Sequence, residues 1–199
     1  MLGKFFKKPD SSLGDRVPPG QHLTNGFPIM TYGSTPDIDL ATWEFKVWGL
    51  VEPTTLTWDD LMALPQHEFT ADFHCVTRWS KLDVPWRGFK VQDLLALLQI
   101  DPTAKHVMQH CYGGYTTNIA LADLDRADNF FAFELEGEPL PSEHGGPLRL
   151  VVPHLYAWKS AKWINGLEFL SQEELGFWER NGYHSHGEPF AEERYSNNW

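Results

Sequence analysis

The chain has 199 residues, 42% of them hydrophobic, with a formal net charge of −11. That is enough length for one domain with a substantial core. The acidic balance argues against a broad nucleic-acid surface, so any anion site has to be a local cluster of cations.

Residues 1–24 are rich in Gly, Pro, Ser and charge and are expected to form an extended arm. Its start, Met1 to Lys8, is basic, and Pro9 and Asp10 follow at once, so it reads as a loose tail without the apolar run of a signal peptide. The main domain is expected over 25–170. Trp43 to Val51 alternates bulky apolar residues with others, as a half-buried strand does, and Pro53 ends it. Thr57 with Asp60 three positions on marks a helix start, closed by Pro65. Glu68 to Cys75 reads as a strand that leaves Cys75 at its end. Val84 to Gly88, with Pro85, reads as a turn. Val91, Leu94, Leu95 and Leu98 have helical spacing. Further strands are expected over 105–111, 115–120, 130–135, 148–152 and 162–169. Ser171 with Glu174 has the pattern of a capping box, which predicts a last helix to about Arg180 that stops at Gly182. From Tyr183 a polar segment is expected to wrap the same domain, so that 171–199 forms a C-terminal helix and tail. The class is α+β: a strand-rich, mixed, barrel-like core with short helices. No apolar run is long enough to span a bilayer.

Cys75 is either an inert small hydrophobe or a functional thiolate. His74 and Arg78 flank it, and cations favour the thiolate, a soft ligand that redox metals prefer. No second cysteine lies within a few residues, which argues against a cysteine-rich zinc or iron–sulfur site. A single thiolate suits a metal whose other ligands come from a cofactor. Cys75 and Cys111 either pair once or stay free, and free thiols fit a reducing cytoplasm.

The second informative segment runs from His144 to Lys162. Gly145-Gly146-Pro147 lets backbone approach a ligand closely. Arg149 interrupts the apolar strand Leu148-Arg149-Leu150-Val151-Val152, and a buried arginine needs either a carboxylate partner or an anionic ligand. Lys159, Ser160 and Lys162 follow on a loop, so that Arg, Lys and Ser converge as a phosphate cradle would require. Tyr112 to Asn118 is either a pocket loop or a hairpin turn. His184 and His186 near Glu188 read as a polar tail before a metal site.

In this order, Cys75-Val76-Thr77-Arg78-Trp79-Ser80, then His144-Gly145-Gly146-Pro147-Leu148-Arg149, then Ser160-Ala161-Lys162 resemble the molybdopterin-binding domain of the sulfite oxidase family, in particular its bacterial branch. The resemblance covers roughly Asn25 to Phe169. It implies the fold of that domain, with Mo-molybdopterin as cofactor and Cys75 as the metal's protein ligand. Arg78 and Trp79 would lie beside the metal. By the same resemblance Asn25, His74, Cys111, Thr117, Asn118, His144, Arg149, Ser160, Ala161 and Lys162 would contact or adjoin the cofactor. The chain departs from animal and plant sulfite oxidases where arginines line the anion pocket: Thr24, Trp79 and Ser80 stand there instead. That argues against sulfite as the substrate. No segment resembles a haem-binding or immunoglobulin-like dimerisation domain.

The function expected is therefore a cytoplasmic molybdopterin-dependent oxidoreductase. It would transfer an oxygen atom to or from a small molecule and exchange electrons with an external partner protein. Two other classes compete: a ligand-binding module that kept the fold, and a thiol enzyme in which His74 activates Cys75. The second is opposed by strand geometry, since neighbours on a strand face opposite ways.

Overall fold

The computed structural model describes residues 14–196. The basic start and the first half of the expected arm lie outside the described residues. The rest of the arm holds a short turn of helix at Gly14–Arg16 and then β1 (His22–Leu23). Arg16 binds the carboxylates of Asp72 and Asp83, each at 2.6 Å, which straps the arm to the strands behind it.

The body comprises β2 (Glu44–Gly49), β3 (Thr54–Thr57), α1 (Trp58–Met62), β4 (Gln66–His74) and β5 (Trp79–Lys90). Then come α2 (Val91–Leu95), β6 (His106–Cys111), β7 (Thr116–Ala120), α3 (Leu121–Leu124) and β8 (Phe130–Leu135). The last elements are β9 (Glu138–Pro139), β10 (Arg149–Val151), β11 (Ile164–Leu170) and α4 (Phe177–Arg180). One mixed sheet has the order β1-β5-β8-β10, with β4 also paired to β5 and β9 to β8. The other has the order β3-β2-β11-β6-β7. Both are open sheets with short helices between strands, not a closed barrel. Among the described residues no helix is long and apolar enough to cross a membrane.

Alternation along the strands separates two apolar clusters. Phe131, Leu150, Phe45, Val107 and Leu167 meet in the main core between the sheets. Phe130, Val151, Phe73, Trp79 and Trp86 point the other way, into an aromatic cluster on the far face of the first sheet. Cys75 belongs to this second cluster, whereas Cys111 is buried in the first.

The Thr57 cap of α1 has both expected bonds, with Asp60 answering the Thr57 backbone. Two expectations fail. Val84–Gly88 is the middle of β5, not a turn. Pro85 is tolerated because pairing to β8 begins only at Trp86. Gly88 sits at a register shift where an added Cβ would meet the Phe131 carbonyl oxygen at 1.8 Å. It is there for close approach, not for turning. The last helix is also shorter than expected. Ser171 caps nothing, and α4 begins after Gly176. Gly176 packs so closely on Thr117 that an added Cβ would lie 2.4 Å from its Cα. The first half of Tyr112–Asn118 turns between the antiparallel strands β6 and β7, as the hairpin reading has it, and its Tyr115 also faces a cleft.

Candidate active site

The period of β4 puts Ala71, Phe73 and Cys75 on one face, toward the aromatic cluster. His74 faces the other way, with its Nδ1 2.8 Å from the Ser80 hydroxyl, and lines a separate surface cleft with Arg16 and Asp72. His74 is therefore no base for Cys75. The turn after Cys75 is closed at both ends. The Cys75 N–H donates to the Trp79 carbonyl at 2.9 Å, and the Arg78 N–H donates to the Cys75 carbonyl at 3.0 Å. Arg78 takes a φ of 76° to make this turn. The arm adds a bond from the Gln21 amide to the Cys75 carbonyl at 2.9 Å. The tail adds one from the buried Arg194 to the Val76 carbonyl at 2.8 Å. The sulfur is thus held in place by segments from both ends of the chain.

The second half of the site is built around β10. Leu148, Leu150 and Val152 point into the main core, which leaves Arg149 with Val151 on the aromatic face. The guanidinium lies 5.0 Å from the Phe73 ring centre and 5.5 Å from that of Trp86. It donates to the His144 carbonyl at 2.7 Å and the Ser160 carbonyl at 3.0 Å. Its Nε has no partner among the described residues. The carboxylate partner that the sequence left open is not there. Burial lowers the Arg149 pKa to about 9, a large displacement for an arginine.

Gly145, at a φ of 111°, brings the His144 turn against Lys162, where an added Cβ would lie 3.0 Å from its side chain. Lys162 donates to the Glu143 carbonyl at 2.6 Å. Burial first, and Arg149 second, lower its pKa to about 7. The same causes lower that of His144. The His144 ring stacks on Phe27 at 4.8 Å.

One cleft receives Cys75, Trp79, His144, Arg149, Ser160, Ala161 and Lys162. Its walls are largely aromatic, and no aspartate or glutamate lines it. In a chain of net charge −11 that exclusion leaves a buried arginine and a half-buried lysine without a carboxylate in the cleft.

The other candidates lie elsewhere. Arg78 is exposed, with its guanidinium close to Gly20, and does not line the cleft. Asn25 is exposed outside it. Thr117 donates to Glu179 at 2.7 Å, and the Asn118 amide donates to Glu173 at 2.9 Å. Burial in the main core pushes the Cys111 thiol pKa up, so that it stays protonated. Lys159 also leaves the expected cradle, because it is buried against Glu179 at 2.7 Å. His186 binds Glu193, and no metal-holding group of His, Cys, Asp or Glu occurs among the described residues.

Tyr115, in the segment read as a pocket loop or a hairpin, lines the cleft, whereas sequence reasoning missed Phe27, Trp178, Tyr183 and Thr77. Only Thr77 had a signal, its place two positions after Cys75. The others arrive through long-range packing that no local pattern reports.

The profile of the family described as "Oxidoreductase molybdopterin binding domain" matches residues 32–178. The chain belongs to that family. YuiH of Bacillus subtilis, an uncharacterized oxidoreductase, is 42% identical over 194 residues, 96% of this chain and 98% of its own. YedZ1 of Azospira oryzae, provisionally named a protein-methionine-sulfoxide reductase subunit, is 30% identical over 85% of this chain and 66% of its own. Sulfite oxidases of plants and animals also match, the Arabidopsis thaliana protein at 29%, with the chain spanning 48% of its length. Among solved structures, the sulfane dehydrogenase SoxCD of Paracoccus pantotrophus has the same fold. Its TM-score is 0.63 at 22% identity, over 74% of this chain and 42% of that one.

The chain is thus a molybdenum-dependent oxidoreductase of the sulfite oxidase type, with Mo-molybdopterin as its cofactor. The cleft fits that group. It offers one thiol for a metal and two uncompensated cations for an anionic tail, and an unpartnered guanidinium nitrogen marks a missing acceptor.

Proposed function

We propose that this oxidoreductase exchanges an oxygen atom with a small neutral or weakly charged substrate, a sulfoxide or N-oxide in preference to sulfite. The observation that carries the reading is the cleft itself, where a thiol, the buried Arg149, the half-buried Lys162 and aromatic walls meet without a carboxylate.

Cys75 holds the metal. Arg149 and Lys162 hold the anionic tail of the pterin, with His144, Ser160 and Ala161 along its path. When bound, the cofactor supplies two-electron exchange of an oxygen atom; the chain positions it and shapes access to it. Trp79 lines the cleft where sulfite oxidases, by resemblance, carry arginine, and Arg78 does not reach it. A dianion in a low-dielectric cleft needs compensating charge beyond the cations already engaged by the cofactor. An aromatic wall favours a flat or apolar ligand instead. The provisional name of YedZ1 points toward sulfoxides.

Electrons are exchanged with a separate partner protein. The cytoplasm is the proposed location, supported by two cysteines that remain free.

Steady-state assays test the substrate, using an artificial electron acceptor for sulfite and a reduced dye for sulfoxides and N-oxides. Turnover of a sulfoxide or N-oxide with poor sulfite oxidation is expected. Sulfite oxidation at about 10⁴ M⁻¹s⁻¹ or above in kcat/KM would overturn the reading.

A further inference from the structure

Thr77 stands two residues beyond Cys75, and its hydroxyl oxygen lies 3.1 Å from the Cys75 sulfur. It lines the same cleft. While the thiol keeps its proton, either group can donate. A sulfur bound to a metal has lost its proton and only accepts, so the threonine hydroxyl must then be the donor. The turn that carries both residues is fixed by the backbone bonds of Cys75 and Arg78 and by the Gln21 and Arg194 side chains, which limits how far this contact can drift.

A hydrogen bond to a ligating sulfur withdraws electron density from it. The sulfur then donates less to the metal, and the more electron-rich, reduced state gains relative to the oxidised one. We infer that Thr77 raises the reduction potential of the metal held at Cys75 through this hydrogen bond. Thr77 is in this sense a positioning residue that acts through the sulfur. The inference rests on Cys75 being the metal's ligand.

The experiment uses the full-length, cofactor-loaded protein and three variants, Thr77→Val, Thr77→Ala and Thr77→Ser. Valine keeps the shape and removes the donor, alanine removes both, and serine restores the hydroxyl. Spectroelectrochemical titration reads the midpoint potential, and absorption reads the sulfur-to-metal charge-transfer band. Valine and alanine are expected to lower the potential and move the band to lower energy, with molybdenum content unchanged. Serine is expected to return both toward wild type. A valine or alanine variant that holds molybdenum at the wild-type potential overturns the inference. So does loss of molybdenum from both variants while serine retains it, because Thr77 would then hold the metal site together without tuning it. A Cys75→Ala protein that keeps stoichiometric molybdenum would instead remove the reading on which the inference rests, whatever the Thr77 variants do.

Discussion

Lys159 and Lys162 stand three positions apart on one loop and meet opposite surroundings. The Lys159 ammonium is enclosed by the Asn118 carbonyl at 2.8 Å, the Asn118 side chain at 2.9 Å and the Glu179 carboxylate at 2.7 Å. The Lys162 ammonium meets a backbone carbonyl and an aromatic cleft that lacks carboxylates. One charge is neutralised within the fold, and the other meets no carboxylate in the cleft.

The two lysines should therefore fail differently. Lys159→Met leaves the fully buried Glu179 carboxylate without its cation, and removing one partner of a buried pair costs about 3–5 kcal/mol. Glu179→Leu alone should cost a similar amount, and the double variant should recover much of the loss. Urea unfolding of the cofactor-free protein measures this. A loss under about 1 kcal/mol in Lys159→Met would show that water reaches the pair.

Arg149→Met and Lys162→Met should instead lower cofactor retention more than they change turnover per bound cofactor. Charge-assisted hydrogen bonds contribute about 1.5–3 kcal/mol each, so each loss should weaken binding by about one to two orders of magnitude. Pterin content after gel filtration is the readout. Unchanged occupancy in both variants would mean that these cations serve the fold alone.

Lys162 also gives a pH signature. Burial and Arg149 bring its pKa from the ordinary 10.5 down to about 7. Between those values the folded chain binds fewer protons than the unfolded one, so the stability of the cofactor-free protein should rise with pH across that window. Below about 7 the full cost of the buried charge is present. An anion at the site restores the charge, so cofactor affinity should fade as pH climbs above about 7. Melting temperatures across the window, compared with Lys162→Met, test the first statement. A slope that survives the substitution would assign it to another group.

Much of the fold and the site was legible in the sequence because the decisive signals were local. The Thr57–Asp60 cap, the alternation that sets Cys75 apart from His74, and the lone arginine among Leu148 to Val152 each follow from spacing alone. Gly88 and Pro85 misled, because glycine and proline mark close approach and strand edges as well as turns. Lys159 misled for a different reason. Its partner Glu179 lies 20 residues on in α4, and nothing in the loop announces that pairing. The aromatic walls from Phe27, Trp178 and Tyr183 come from segments far apart in the chain, so the cleft has no contiguous pattern to read.

Everything proposed for the cleft depends on Cys75 being the protein's ligand to molybdenum. Elemental analysis of purified wild-type protein and of Cys75→Ala, both checked for folding by circular dichroism, tests this most directly. Cys75 packs at the end of β4 in an aromatic cluster, so alanine should leave the fold intact. Stoichiometric molybdenum is expected in the wild type, and its loss, together with redox turnover, in Cys75→Ala. Stoichiometric molybdenum and near wild-type turnover in Cys75→Ala would contradict the assignment.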